Sequence, residues 1–301
     1  LFLAYTSIRQ VSFLTFLIGY LPDASEFFLK EGDLLMKQLL SLIVLSCLVF
    51  GLTAPAAAGT TVYLDAWGDG NFDYDIKSEE LQYQNGSLTS SNSTKAKADD
   101  DLSGFTLGLE STFESFKVGL EYGLADTEFY PAYDGVTADN KLKCDFTLAE
   151  VKGGYRLIAN DKLDLDLFVG ILDINGELTL DDDPNKYILN FGGNLVGFDV
   201  NFKFNEKSSL QGTIASSLLG ATVSDGNSYE EDPTITEYKL KFNYFITDNL
   251  ALTLGYRLYQ YSASTTEIDE NEFGGIINKE VEKGEIDGSI SGYTFGVAYQ
   301  F

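Results

Sequence analysis

The sequence predicts an all-β protein, a ten-stranded antiparallel up-and-down transmembrane β-barrel, with eight strands as the alternative. Three observations carry that expectation. Segments that alternate apolar and polar residues recur along the chain, and successive side chains of a strand point to opposite faces, so each segment has one greasy face. The connections alternate between tight turns and long polar stretches, the asymmetry of a barrel threaded through a bilayer. Finally, the last nine residues place Tyr293, Phe295, Val297, Tyr299 and Phe301 on one face, against Thr294, Gly296, Ala298 and Gln300 on the other.

The amino end reads as processing sequence. Met36 is the only methionine, the chain opens on Leu1, and Lys30-Glu31-Gly32 can be encoded by a purine run of the kind ribosomes bind. Residues 1–35 are therefore expected to be translated upstream sequence and not part of the protein. Read instead as a membrane-inserting extension, Val11–Leu21 is too short to span a bilayer. From Met36 the pattern is that of a signal peptide over 36–58: Lys37, an apolar run from Leu39 to Leu52, then the small residues Ala54, Ala56, Ala57 and Ala58. Export by the Sec route with cleavage near Ala58 follows. Cys47 lies inside the apolar run, which continues past it to that better site, so lipid attachment is disfavoured.

Residues 59–301 form the barrel domain. Strands are expected near 61–76, 102–113, 116–129, 142–158, 163–180, 187–204, 208–224, 234–246, 250–265 and 289–301. Each reaches the roughly 9 to 11 residues a tilted strand needs to cross a membrane. Glu114-Ser115, 159–162, 205–207 and 247–249 are tight turns at the end that holds both termini, whereas 77–101, 130–141, 181–186, 225–233 and 266–288 are mostly longer loops at the other end. Gln84–Thr94, rich in Ser, Asn and Thr, reads as a loop tip. Facing lipid would be the rows Phe116 to Leu124, Phe198 to Phe204, Tyr238 to Tyr244 and Leu250 to Leu258, with Tyr and Phe at the interfacial girdles. A soluble sandwich alternates as well, but it needs neither an export signal nor long loops gathered at one end.

The terminal strand resembles the C-terminal signature of bacterial outer-membrane β-barrel proteins, and the whole of Gly59–Phe301 resembles the broad porin and opacity-type superfamily. The resemblance rests on general pattern plus the terminal Phe. It implies residence in the cell outer membrane among lipid and lipopolysaccharide, and reading of Tyr293, Phe295, Val297, Tyr299 and Phe301 by the barrel-assembly machinery.

Facing inward, the opposite phase carries the acids Asp65, Asp69, Asp73, Asp75, Glu110, Glu121, Asp145, Glu150, Asp164, Asp166, Asp199 and Glu237. The bases there are Lys117, Lys143, Lys152, Arg156, Lys203, Lys239, Lys241 and Arg257. An unpaired charge in a narrow low-dielectric interior costs several kcal/mol, so most of these groups should pair across neighbouring strands. Tyr63, Trp67 and Phe168 would fill space between them. A salt-bridged structural core is the plainer expectation, and a narrow cation-preferring path along the surplus acids the sharper one.

The composition removes several chemistries. With 20 basic against 46 acidic residues, a net charge of −26, no basic patch is expected for nucleic acid. The chain has no histidine, hence no imidazole base, ligand or triad member. The enzymes known among small outer-membrane barrels, such as omptin proteases, phospholipases and lipid A acyl-modifying enzymes, use a catalytic His in their families, so a non-enzymatic protein without cofactor is expected. Cys144, the one cysteine of the barrel domain, is assigned to the lipid face beside Phe146, where a thiol is inert. Acidic loop clusters, with Asp181, Asp182, Asp183 and Glu230, Glu231, Asp232 as candidate ligands, can hold surface Ca²⁺ or Mg²⁺ through oxygen, though none has EF-hand spacing. The expected function is a structural barrel or narrow diffusion channel, monomeric. The alternative is an adhesin or receptor acting through loops 77–101 and 266–288.

Overall fold

A computed structural model describes residues 59–301 apart from 134–135, 138–140, 181–185, 218–220, 225–227, 230 and 274–275. The expected upstream sequence and signal peptide lie outside the described residues. One antiparallel sheet holds every strand: β1 (Thr60–Gln84), β2 (Ser87–Phe113), β3 (Phe116–Phe129), β4 (Ala132–Tyr133), β5 (Val136–Thr137), β6 (Leu142–Ala159), β7 (Leu163–Leu180), β8 (Lys186–Asn205), β9 (Ser208–Ser216), β10 (Ala221–Ser224), β11 (Ser228–Tyr229), β12 (Glu231–Phe245), β13 (Leu250–Phe273) and β14 (Ile276–Gln300). Each long strand pairs with its neighbours in sequence, and β1 pairs with both β2 and β14, so the sheet closes in a ring of about ten strands. At the seam Thr61 lies opposite Gln300, and the Phe301 N–H donates to the Thr60 carbonyl at 2.9 Å. Closure leaves the ring itself without an open edge.

Thr60, Phe301 and the tight turns share one end. The turns are held by side chains that accept backbone N–H groups, as their Asn and Thr content favours: Asn160 takes those of Lys162 and Leu163, each at 2.9 Å, and Asn205 that of Lys207 at 2.8 Å. Outside the ring the expected rows stand exposed, from Phe116 and Val118 through Phe198, Phe202 and Phe204 to Leu240, Leu254, Phe295 and Val297. No helix among the described residues is long and apolar enough to cross a membrane.

Three expectations about phase and loops are corrected. In β1 the register shifts between Gly68 and Asn71, where Asp69 takes a φ of 44°. One extra residue in a strand of period two turns every later side chain to the other face. Asp65 and Trp67 point inward, but beyond the bulge Phe72 and Tyr74 do, leaving Asp69 and Asp73 exposed and Asp75 paired with exposed Lys97 at 2.6 Å. In β6 the phase runs unbroken from Leu142 to Arg156, so Cys144 and Phe146 are buried inside and Lys143 and Asp145 face out. The far end of the interior is apolar, which gives Phe146 a better environment within than Asp145 would have.

The third correction concerns the long loops. β1 and β2 stay paired to Gln84 and Ser87 and turn through Asn85 (φ 50°) and Gly86 (φ 79°), the left-handed pair that a type I′ hairpin requires. β13 and β14 stay paired to Phe273 and Ile276. Segments expected as loops, 77–101 and 266–288, are thus largely strand. The strand expected over 208–224 instead breaks after Ser216, and β10 pairs with β8.

Candidate functional site

Two regions stand out: the interior of the ring and the sheet that rises from its far end. Inside, the end near the tight turns opens into a mouth of about 790 Å³ lined by Thr61, Lys117, Arg156, Lys203, Asn205 and Gln300 among others. Deeper, the charged side chains converge. Lys241 reaches Asp65 at 2.6 Å, and Arg257 bridges Asp65 at 3.3 Å to Glu121. Lys239 touches Glu121 at 3.1 Å together with Glu150 and Glu237, so three carboxylates meet one ammonium. A second group joins Lys117 to Asp199 at 3.0 Å and Glu110 at 3.1 Å, Lys152 to Asp199 at 3.0 Å, and Arg156 to Asp166 at 2.9 Å.

Neutral groups complete the network. The hydroxyl of Tyr63 donates to Glu121 at 2.6 Å, that of Thr253 to Asp65 at 2.6 Å, and that of Thr213 to Asp199 at 2.7 Å. The Lys241 ammonium lies 3.6 Å from the Tyr63 ring centroid, and Arg257 lies over Trp67 at 5.9 Å, close enough for cation–π attraction. Gly108 makes room for this arrangement, since a Cβ there would come within 2.1 Å of the Tyr63 ring. A chamber of only about 40 Å³ remains among these residues, space on the scale of a water molecule.

Of the residues singled out from sequence, Asp65, Glu110, Glu121, Glu150, Lys152, Arg156, Glu237, Lys239, Lys241 and Arg257 do meet inside. Asp69 and Asp73 do not. With Asp75, Asp145 and Lys143 also outside, the interior holds the acids Asp65, Glu110, Glu121, Glu150, Asp164, Asp166, Asp199 and Glu237 against the bases Lys117, Lys152, Arg156, Lys203, Lys239, Lys241 and Arg257. The expected acidic surplus shrinks to a single charge. Among the inward groups, the hydroxyls of Thr213, Thr253 and Tyr259 are not among those singled out from sequence; Thr253 and Tyr259 share the phase of Arg257 on β13, whereas β9, which holds Thr213, has no charged residue to mark its inner face.

Above the network the interior changes character. Phe72, Phe129, Leu172, Ile174, Phe191, Leu195, Ile235 and Ile286 are all but inaccessible to solvent. Phe191 stacks on Tyr261 with centroids 3.7 Å apart, and Phe72 packs against Phe129 and Phe146 at 5.6 and 4.9 Å.

Beyond the rim the sheet continues in the order β13-β14-β1-β2, with the short β4 on the outer edge of β2 at Ala96 and Lys97. The β12–β13 pairing ends at Glu231 opposite Ser264 and the β2–β3 pairing at Leu102 opposite Thr127, while β1 and β14 pair on to Gln84 and Asn278. The run from Ile76 to Gln84 alone extends about 30 Å at the usual rise per strand residue. Its inner face is acidic, with Glu80 directly opposite Glu282 and Gln82 opposite Glu280. A hydrogen bond with Glu80, together with the charge of that neighbour, holds the Glu280 carboxyl above its usual range. A raised carboxyl favours the proton-bound wall, so its contribution is present at low pH and lost as pH rises through the Glu280 value. Amide exchange around 278–284, corrected for its intrinsic pH dependence, is expected to slow on acidification. Glu80→Gln should remove that dependence.

Among the described residues no group of three or more Cys, Asp or Glu is placed to hold an ion. Asp181, Asp182, Asp183 and Glu230 lie outside the described residues, and Glu231 and Asp232 begin β12.

No family model matches the chain, and no curated protein matches it. Several solved structures do, and those compared are bacterial outer-membrane β-barrel proteins. The outer membrane protease OmpT from Escherichia coli is 10% identical, with 81% of this chain and 97% of that chain covered and a TM-score of 0.48. OprG from Pseudomonas aeruginosa is 15% identical, with 81% and 96% covered and a TM-score of 0.36. The translocator domain of the autotransporter NalP from Neisseria meningitidis is 10% identical, with 88% and 97% covered and a TM-score of 0.39.

Proposed function

We propose that the chain is a non-enzymatic outer-membrane β-barrel of ten strands with a plugged lumen, a structural surface protein and not an open channel. The exposed outward rows supply a lipid-facing belt, and in the half nearer the tight turns the charged face of the strands turns to the interior, as in membrane barrels. Thr60, Phe301 and the tight turns lie on the periplasmic side, and the projecting sheet lies outside the cell. The observation that carries the plugged reading is the apolar packing of Phe72, Phe129, Phe146 and Phe191 across the outer half of the lumen. Dry, close-packed side chains leave no hydrated route for an ion. The near balance of buried charge also takes away the surplus on which a cation path would depend. Export, outer-membrane lipid and lipopolysaccharide as surroundings, assembly by the barrel machinery and a monomeric state belong to the same reading.

Planar-bilayer recording tests it. The wild-type protein is expected to give no steady unit current, whereas Phe72→Ala combined with Phe129→Ala, which thins the plug, should open one. A steady cation-selective current from the wild type, reduced by Asp65→Asn, would establish the channel instead. A second reading, an adhesin or receptor, is favoured by the projecting sheet. Deleting 78–94 together with 266–283 should then abolish attachment of cells to a host surface and leave the barrel folded, with its heat-modifiable gel migration unchanged.

A further inference from the structure

The two outer edges of the projecting sheet are built differently. β13 carries Asp269 and Glu270 along its outer stretch, and charged side chains are a usual guard against edge-to-edge pairing. The β2 edge has no such guard: Ser90-Ser91-Asn92-Ser93-Thr94 is five residues of paired strand without a charge, a proline or a bulge. Its inner side is fully occupied, since Ser90 to Thr94 lie opposite Gln82 to Ser78 of β1.

The limits of that open stretch are defined. At the top, a register shift leaves Thr89 as an extra residue whose hydroxyl donates to the Gln82 carbonyl at 2.9 Å. At the bottom, β4 already pairs with this edge, Tyr133 opposite Ala96 and Ala132 opposite Lys97, in antiparallel sense. β4 then turns into β5, which pairs on the far side of β4 and not along β2. The edge therefore accepts an added strand at its base, and among the described residues nothing pairs with it above.

We propose that Ser90–Thr94 of β2 is a docking edge for an extended, cationic polypeptide segment, which adds a strand in line with β4 through main-chain hydrogen bonds. Charge decides the occupant. On its inner face the sheet beside the slot presents Glu80, Glu280 and Glu282, with no base on that face among the described residues of β1, β2 and β14, whereas Lys77, Lys95, Lys97, Lys279 and Lys283 lie on the outer face, where Glu285 and Glu79 pair with Lys77 and Lys283. The whole chain carries a net charge of −26, a field that attracts a basic segment to the inner face and repels an acidic one. A second copy is disfavoured by the same field. Its geometry is also wrong, because two copies in one membrane related by an axis along the membrane normal would bring their β2 edges together parallel, not in the antiparallel sense that β4 uses.

This inference rests on the adhesin reading, and the two fail separately. The probe is a short fluorescent peptide of alternating lysine and threonine, compared with the same sequence methylated at every backbone nitrogen, on the full chain in nanodiscs. The unmethylated peptide should bind at least tenfold more tightly at low salt. It should also form a disulfide, through an added cysteine, with Ser91→Cys and not with Asp269→Cys. Equal binding of the two peptides, absence of binding, or equal crosslinking at both edges would overturn the docking edge. If the peptide docks while deletion of 78–94 and 266–283 leaves host attachment intact, the edge stands and the adhesin reading falls.

Discussion

Replacing Lys239 with methionine is expected to destabilise the folded barrel by about 3–5 kcal/mol, the cost of removing one partner from a buried ion pair. Lys239 is the shared partner of Glu121, Glu150 and Glu237, and Glu237 is wholly buried. Glu121 keeps Arg257 and the Tyr63 hydroxyl in the variant. Among the described residues Glu150 and Glu237 then keep no ion pair, so methionine fills the space but leaves two carboxylates without a counter-charge. Denaturant titration in detergent micelles, read by heat-modifiable migration, measures the loss. Adding Glu237→Gln to Lys239→Met should restore a large part of it, because a neutral amide removes one of the stranded charges. A loss below about 1 kcal/mol, the worth of an exposed pair, would mean that water reaches these groups and that the interior is not the dry network described.

That network was largely legible in the sequence because period two is a strict rule wherever a strand stays regular. β3 and β13 keep one phase throughout, and β12 does so from Thr234 on, so alternation alone places Glu121, Lys239 and Arg257 inside. Legibility failed where a single residue breaks the count. The bulge at Asp69 turns over the rest of β1, and nothing in the pattern fixes the position of an extra residue within Gly68-Asp69-Gly70, where glycines on both sides permit several. For β6 the reason is different: the interior changes from polar to apolar along its length, so hydrophobicity ceases to identify the outer face, and Cys144 and Phe146 were assigned to lipid when they pack within.

The projecting sheet was missed for a related reason. A strand with both faces in water has no apolar alternation to reveal it, and Ser87–Thr94 is polar at every position except Leu88. One local sign was available, the Asn85-Gly86 pair, which sets a hairpin turn whatever the flanking polarity. The aromatic plug was equally hidden. Phe72, Phe129 and Phe191 come from β1, β3 and β8, and only ring closure brings their inward faces together.

The terminal strand offers the second large effect. Val297 faces outward, opposite Leu64 of β1 and Leu252 of β13, midway between Phe295 and Tyr299 in the exposed apolar row. Arginine there must carry a charge into the lipid belt at the seam that closes the ring, at a cost of about 2–4 kcal/mol at the bilayer midplane and about 0–1 near an interface. Phe301 acts at the end of the same row: its N–H donates to Thr60 and its ring packs edge-on against Tyr299 with centroids 4.9 Å apart. Removing Phe301 is therefore expected to lower the amount of assembled, heat-modifiable barrel without changing export or signal cleavage. Gln300 lies on the inward face at the open mouth, where a substitution leaves both the seam pairing and the apolar row intact. Equal tolerance at Phe301 and Gln300, or wild-type unfolding by Val297→Arg, would place the outward row somewhere other than in lipid.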